Sequence, residues 1–193
     1  MSKVPCSQCG VAILKETAQR NDGLCMPCKA GTRKSIEAGK RYRIERKEYE
    51  STNPFWKLWQ KLVHQACETP EGFAGLSEEE KQYFAVGMLE GDVYNGGFDQ
   101  YFYNSSGGYY KYALLGLKAM EAHQALELLQ RAKQILFDFD EVPEDTQTRR
   151  KILKQRDLDS RTQRLETLDA QYWKDPDNLS PRCEAFARKH GLV

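Results

Sequence analysis

The sequence predicts an all-α, multi-helix domain preceded by a small zinc-ribbon or knuckle segment and a basic connector helix. Three observations carry this. Two Cys-x2-Cys pairs stand near the start, a basic run of helical propensity follows, and helix-spaced apolar residues run on from Pro54. No convincing alternating strand is visible outside the cysteine segment. The three segments are expected at residues 1–32, 33–52 and 53–193. Hydrophobic residues at 40% and charged residues at 30% describe a soluble globular chain. Its apolar runs are too short for a membrane span. The opening MSKVPCSQCG lacks the apolar core of a secretory signal, so the expected compartment is the cytoplasm.

The first segment holds Cys6-x2-Cys9 and Cys25-x2-Cys28. Two such knuckles supply the four thiolates of a closed tetrahedral site, and a segment this short needs metal binding for its folding energy. With cysteine at all four positions no ligand place stays open for chemistry, so Cys6, Cys9, Cys25 and Cys28 are expected to hold a structural Zn2+. Cys67 and Cys183 are solitary and read as small buried hydrophobes.

The net charge of +1 is unevenly spread: residues 1–50 carry 11 Lys and Arg against 6 Asp and Glu. Arg33, Lys34, Lys40, Arg41 and Arg43 crowd the connector, where they could follow a nucleic-acid backbone with Tyr42 available for stacking. A solvated linker helix is the plainer use of the same residues.

In the body, Asn53-Pro54 marks a helix start, with Phe55, Trp56, Trp59, Leu62, Val63 and Ala66 on its apolar face. Ser77 and Glu80 have the spacing of a capping box. The stretch NGGFDQYFYNSSGG, residues 95–108, should end that helix at Gly96-Gly97 and drive Phe98, Tyr101 and Phe102 into the core. A long helical region follows, broken near Ala122–His123. Pro143 stops it, and Asp138, Asp140, Glu141, Glu144 and Asp145 precede the next helix as its N-terminal acids. Arg149, Arg150, Lys151, Lys154 and Arg156 read as the solvated face of that helix. Leu165, Leu168, Tyr172 and Trp173 form an apolar seam, and Ser180-Pro181 opens the last helix.

No catalytic constellation stands out. The glycine-rich stretch lacks a phosphate-loop pattern, the acidic run lacks a calcium-loop pattern, and His64, His123 and His190 have no partner at a catalytic spacing. Two uses remain open for Asn95, Gly96, Gly97, Asp99, Gln100, Tyr101 and Asn104: a structural corner, or a partner-binding site. A pocket in which Asn95, Asp99, Gln100 and Tyr101 converge would instead mark an enzyme.

EGDVYNGGFDQYFYNSSGG, the Ala/Leu-rich helix after it, VPEDTQTRR and LETLDAQYW together resemble the bacterial DNA-mimic-type domain. The resemblance covers roughly residues 54–190. It implies an all-α fold without established catalysis and, in one branch, an acidic surface that imitates duplex DNA, binds a transcription factor and forms dimers. Residues 51–193 hold 22 acidic but also 18 basic residues, so the imitation would need the acids gathered on one face. The expected function is a non-enzymatic, zinc-binding protein-interaction module. Its partner would be a DNA-binding regulator or, for an immunity-like factor, a toxin. The alternative is nucleic-acid binding through the ribbon and residues 29–47.

Overall fold

A computed structural model describes residues 2–155 and 158–193. The chain divides into two compact units, Met1–Asn53 and Pro54–Val193. The first begins with a small antiparallel hairpin, β1 (Lys3–Pro5) against β2 (Ala12–Leu14), with Val4 opposite Ile13. Short helices α1 (Lys15–Arg20) and α2 (Met26–Lys29) follow, then the 20-residue α3 (Arg33–Thr52). No residue of α3 is buried. Basic, acidic and apolar side chains alternate around it without forming an apolar stripe.

The second unit is all-α. Pro54 opens α4 (Pro54–Glu68), where its missing N–H costs nothing. Phe55, Leu58 and Leu62 of α4 face the core, and Trp59 stacks on Phe84 with ring centroids 5.5 Å apart. Ser77 and Glu80 form the expected capping box at the start of α5 (Glu78–Tyr103): the Glu80 amide donates to Ser77 Oγ at 3.1 Å, and the Ser77 amide donates to Glu80 Oε2 at 3.0 Å. After a 3-10 turn over Ser105–Tyr109 come α6 (Tyr110–Ala119), α7 (His123–Phe137), α8 (Thr146–Gln155), α9 (Leu158–Tyr172) and α10 (Leu179–Lys189). Helix α5 is the axis of this unit, packing against α4, α6, α8, α9 and α10. Its residues Phe84, Leu89, Val93, Phe98, Tyr101 and Phe102 are fully enclosed.

Four expectations need correction. The last helix starts at Leu179, because the Asp175 carboxylate takes the Leu179 amide at 2.8 Å, so Ser180 and Pro181 already lie inside it. Trp173 is half exposed: its indole N–H donates to the Val93 carbonyl at 2.8 Å, which fixes the ring at the surface end of the seam. Cys67 is exposed, since it lies five residues beyond Leu62 and turns away from the apolar stripe of α4. Cys183 is half buried with its thiol 3.6 Å from Met120 Sδ, and burial pushes that thiol up to about 12. The fourth correction concerns α8: Arg149 is fully buried and Arg150 half-buried, with its Nε donating to the Tyr103 carbonyl at 2.9 Å, while Lys151 and Lys154 are exposed. Arg156 lies outside the described residues.

Candidate functional sites

The four cysteines of the first unit converge. Their Sγ atoms all lie within 4.8 Å of one another, and Cys9 Sγ stands 3.7 Å from Cys25 Sγ. Tetrahedral coordination at about 2.3 Å per metal–sulfur bond places sulfurs about 3.8 Å apart, so the spacing suits one ion. The hairpin presents the first pair, and the N-terminal turn of α2 presents the second, with Cys25 as its N-cap residue. The Cys25 amide donates to Cys6 Sγ at 3.2 Å, the chief reason that thiol is held at about 6. Burial pushes the Cys28 thiol up to about 12. Cys6, Cys25 and Cys28 are buried and Cys9 is exposed. The set could hold a metal ion and leaves no ligand position for a substrate.

The basic side chains of α3 are not equivalent. Lys34, Lys40, Arg41 and Arg43 face solvent. Arg33 instead folds back, with Nη2 donating to Cys25 Sγ at 3.0 Å and Nη1 reaching Glu37 Oε1 at 3.2 Å.

In the second unit, residues 95–108 form a kink within α5 and the turn that ends it. Gly97 adopts φ +78°, whereas Gly96 stays extended at φ −164°. Only the second glycine therefore takes the left-handed conformation that the sequence allowed both. The Phe98 amide freed by the kink donates to Asp169 Oδ1 at 2.8 Å, so α9 caps the second segment of α5. A Cβ on Gly97 would collide with that carboxylate. Burial raises the Asp169 carboxyl above its ordinary range, although the Phe98 amide pulls the other way.

Polar side chains of the motif turn inward on Asp92. Its Oδ1 accepts from Asn104 Nδ2 at 2.9 Å and from Gln100 Nε2 at 3.3 Å, and its Oδ2 accepts from Ser106 Oγ. Tyr101 is enclosed in the core, and its hydroxyl has no hydrogen-bond partner among the described residues. Asn95 and Asp99 point outward, Asp99 lying 3.5 Å from Arg161 Nη2. Asn95, Asp99, Gln100 and Tyr101 thus point three different ways.

Arg149 closes the corner from α8. Its Nε donates to the Phe102 carbonyl at 2.8 Å, Nη1 to the carbonyls of Pro143 at 2.8 Å and Glu144 at 2.9 Å, and Nη2 to the Asn104 carbonyl. The guanidinium fork therefore satisfies acceptors at the C-terminal end of α5, where the macrodipole also favours a cation. Burial lowers its pKa from the ordinary arginine value. Gly107 makes room for it: a Cβ there would stand 2.8 Å from Arg149 Nε and 2.9 Å from the Tyr101 carbonyl. Beside this corner a groove of about 760 Å³ runs between Tyr110, Lys111, Leu114 and the loop 139–144. Phe139 stands on its rim, 89% exposed, in a loop that also carries Asp138, Asp140, Glu141, Glu144 and Asp145.

The family model described as "DMP19-like protein" matches residues 74–190, more than half of the chain. The chain belongs to the DMP19-like family. The kinked α5, Asp169, Arg149 and the acidic loop all lie inside the DMP19-like region, whereas the cysteine cluster and α3 lie outside it. No curated protein and no solved structure matches the chain. Among the described residues, no helix is long and apolar enough to cross a membrane.

The sequence reading missed Asp92, Arg149 and Asp169 as organisers of the corner. For Arg149 a signal was present: it stands four residues before Leu153, on the buried stripe of α8.

Proposed function

We propose that this protein is a non-enzymatic interaction module whose DMP19-like domain engages a protein partner, a DNA-binding regulator or a toxin, and whose N-terminal segment is built on a structural zinc ion. The observation that carries the interaction reading is Phe139. A phenylalanine 89% exposed, flanked by carboxylates on a groove rim, is suited to a partner with a basic surface and an apolar recess. The DNA-mimic character implied by the resemblance points to the same kind of partner. The inward bonding of Gln100, Asn104 and Ser106 to Asp92 supports a structural role for the motif, leaving the outer surface for recognition. Affinity capture from cells of the source organism, run in parallel with wild type and Phe139→Ser, tests the reading. A stoichiometric DNA-binding protein or toxin retained by wild type and lost by the variant supports it. Capture that ignores the substitution would move the contact elsewhere, and no stoichiometric partner would sink the reading.

The zinc assignment rests on the all-cysteine donor set and the sulfur spacing. Elemental mass spectrometry of chelator-free protein should find about one zinc per chain.

A second reading, nucleic-acid binding through α3, is favoured by the exposure of Lys34, Lys40, Arg41 and Arg43 along a helix that buries nothing. Gel-shift titrations of full-length protein and of a chain lacking residues 1–53 separate the two. Salt-sensitive binding by the full chain alone supports α3, whereas equal binding or none removes it.

A further inference from the structure

Resting on the zinc reading above, we propose that Arg33 is an outer-sphere ligand of the metal centre and that it ties metal occupancy to the order of α3. Its Nη2 lies 3.0 Å from Cys25 Sγ, while Nη1 lies 3.2 Å from Glu37 Oε1 one helical turn on. Glu37 in turn accepts from Lys40 Nζ at 3.3 Å. A continuous polar chain, Cys25–Arg33–Glu37–Lys40, therefore runs from the sulfur cluster along the first two turns of α3.

Two properties of α3 make this link matter. The helix buries no residue, so packing does not hold it, and a free helix of this length is marginal in water. Its start is also poorly defended. Thr32 at the N-cap makes no side-chain cap bond, no acid stands in the first turn, and Arg33 and Lys34 place cations at the positive end of the macrodipole. Four thiolates around a divalent ion carry a net charge of about −2, which supplies the missing anion. Arg33 bonds that anion directly and offsets half of its charge. A donor to a ligating sulfur also orients the ligand and tunes the metal site, which gives the contact a role in affinity as well as in helix order. Lysine would keep the charge but lose the planar fork that reaches Cys25 and Glu37 together.

The test uses the full chain and zinc itself. Competition against a chromophoric chelator gives zinc affinity, and hydrogen exchange at saturating zinc gives the order of α3. Arg33→Ala should weaken zinc about 10- to 100-fold and speed exchange in the first turns of α3, leaving α5 unchanged. Arg33→Lys should recover part of the affinity, and Lys34→Ala should leave the affinity unchanged without speeding exchange in α3. Glu37→Ala keeps the Cys25 contact but removes the acceptor of both Arg33 Nη1 and Lys40 Nζ, cutting the link along the helix. It should leave zinc affinity intact while raising α3 exchange, which keeps the idea open to refutation if Arg33→Ala misfolds. Unchanged affinity with Arg33→Ala, or unchanged α3 exchange with both variants, overturns the proposal. Wild-type protein that takes up no zinc sinks the zinc reading itself, a result that no comparison of variants can mimic.

Discussion

Residues 1–53 bury Cys6, Cys25, Cys28 and Asn21, whereas residues 54–193 bury a continuous apolar cluster that runs from Phe55 to Ala187. One region has sulfur where the other has hydrocarbon. A segment of about 30 residues cannot remove enough apolar surface from water to offset its lost chain entropy, and its four converging thiols stand where an ion could cross-link it. The larger unit has the opposite difficulty. Its apolar core is ample, and its weak point is backbone: a long helix bends in mid-course and then stops inside the protein. Charged side chains from distant helices, Asp169 and Arg149, meet those freed backbone groups. Polar chemistry thus builds the small unit and repairs the large one.

On the zinc reading proposed above, the largest way to break this contrast is to remove the metal. With chelator, or with Cys25→Ser, residues 3–32 should lose all slow hydrogen exchange while α5 and α7 keep theirs. Loss of protection in both units together would show that they do not fold independently. Arg149→Ala attacks the other side. It strands the carbonyls of Phe102, Pro143 and Glu144 and leaves that of Asn104 only the Gly107 amide, and at about 1–3 kcal/mol per unpaired acceptor, with partial relaxation, the loss should be about 3–5 kcal/mol. Urea titration should show it in the second unit only, with zinc content unchanged. Gly97→Ala comes next, at about 2–3 kcal/mol, because it combines positive φ with a collision against Asp169. A loss under about 0.5 kcal/mol there would mean that the kink relaxes freely.

The smallest effect is an acid-limb one. Asp145 caps α8, and bonds from the Thr148 hydroxyl and amide hold its carboxyl below the usual range. Its contribution is therefore present above the unfolded value of about 3.9 and is lost as pH falls through the lower folded value. Asp145→Asn should remain less dependent on pH across that window, so urea midpoints of the two proteins should converge as the pH is lowered.

What the sequence disclosed follows the reach of each interaction. Cys6, Cys9, Cys25 and Cys28 declare themselves by spacing, and Ser77 with Glu80 by a four-residue pattern; both are local. The corner over residues 95–108 was legible as a corner from its glycines and aromatics. Its fastenings were not. Asp169 is 71 residues from Phe98 and Arg149 is 47 from Phe102, and nothing within either helix announces a target that far away. In the run TRRK, Arg149 looks like its neighbours, and only its register with Leu153 separates it from the exposed Lys151 side of α8. Arg33 was hidden in the same way, one cation among several on a basic helix. In both cases the missing information is which carbonyl or sulfur lies across the gap.

The Arg149 fastening also sets an order of events. A chain made at about 5–20 residues per second completes α5 some seconds before Arg149 exists. During that interval the carbonyl of Phe102 lacks its guanidinium donor, and the far end of α5 is free to fray. The bend can be drawn early by Gly97, but it is locked only when α8 arrives, and α9 must follow to hold Phe98. A nascent chain cut short before α8 would therefore carry an unfinished central helix, with Phe98 lacking both its Asp169 cap and its ring contact to Tyr172, and would lean on a chaperone for that end of the core.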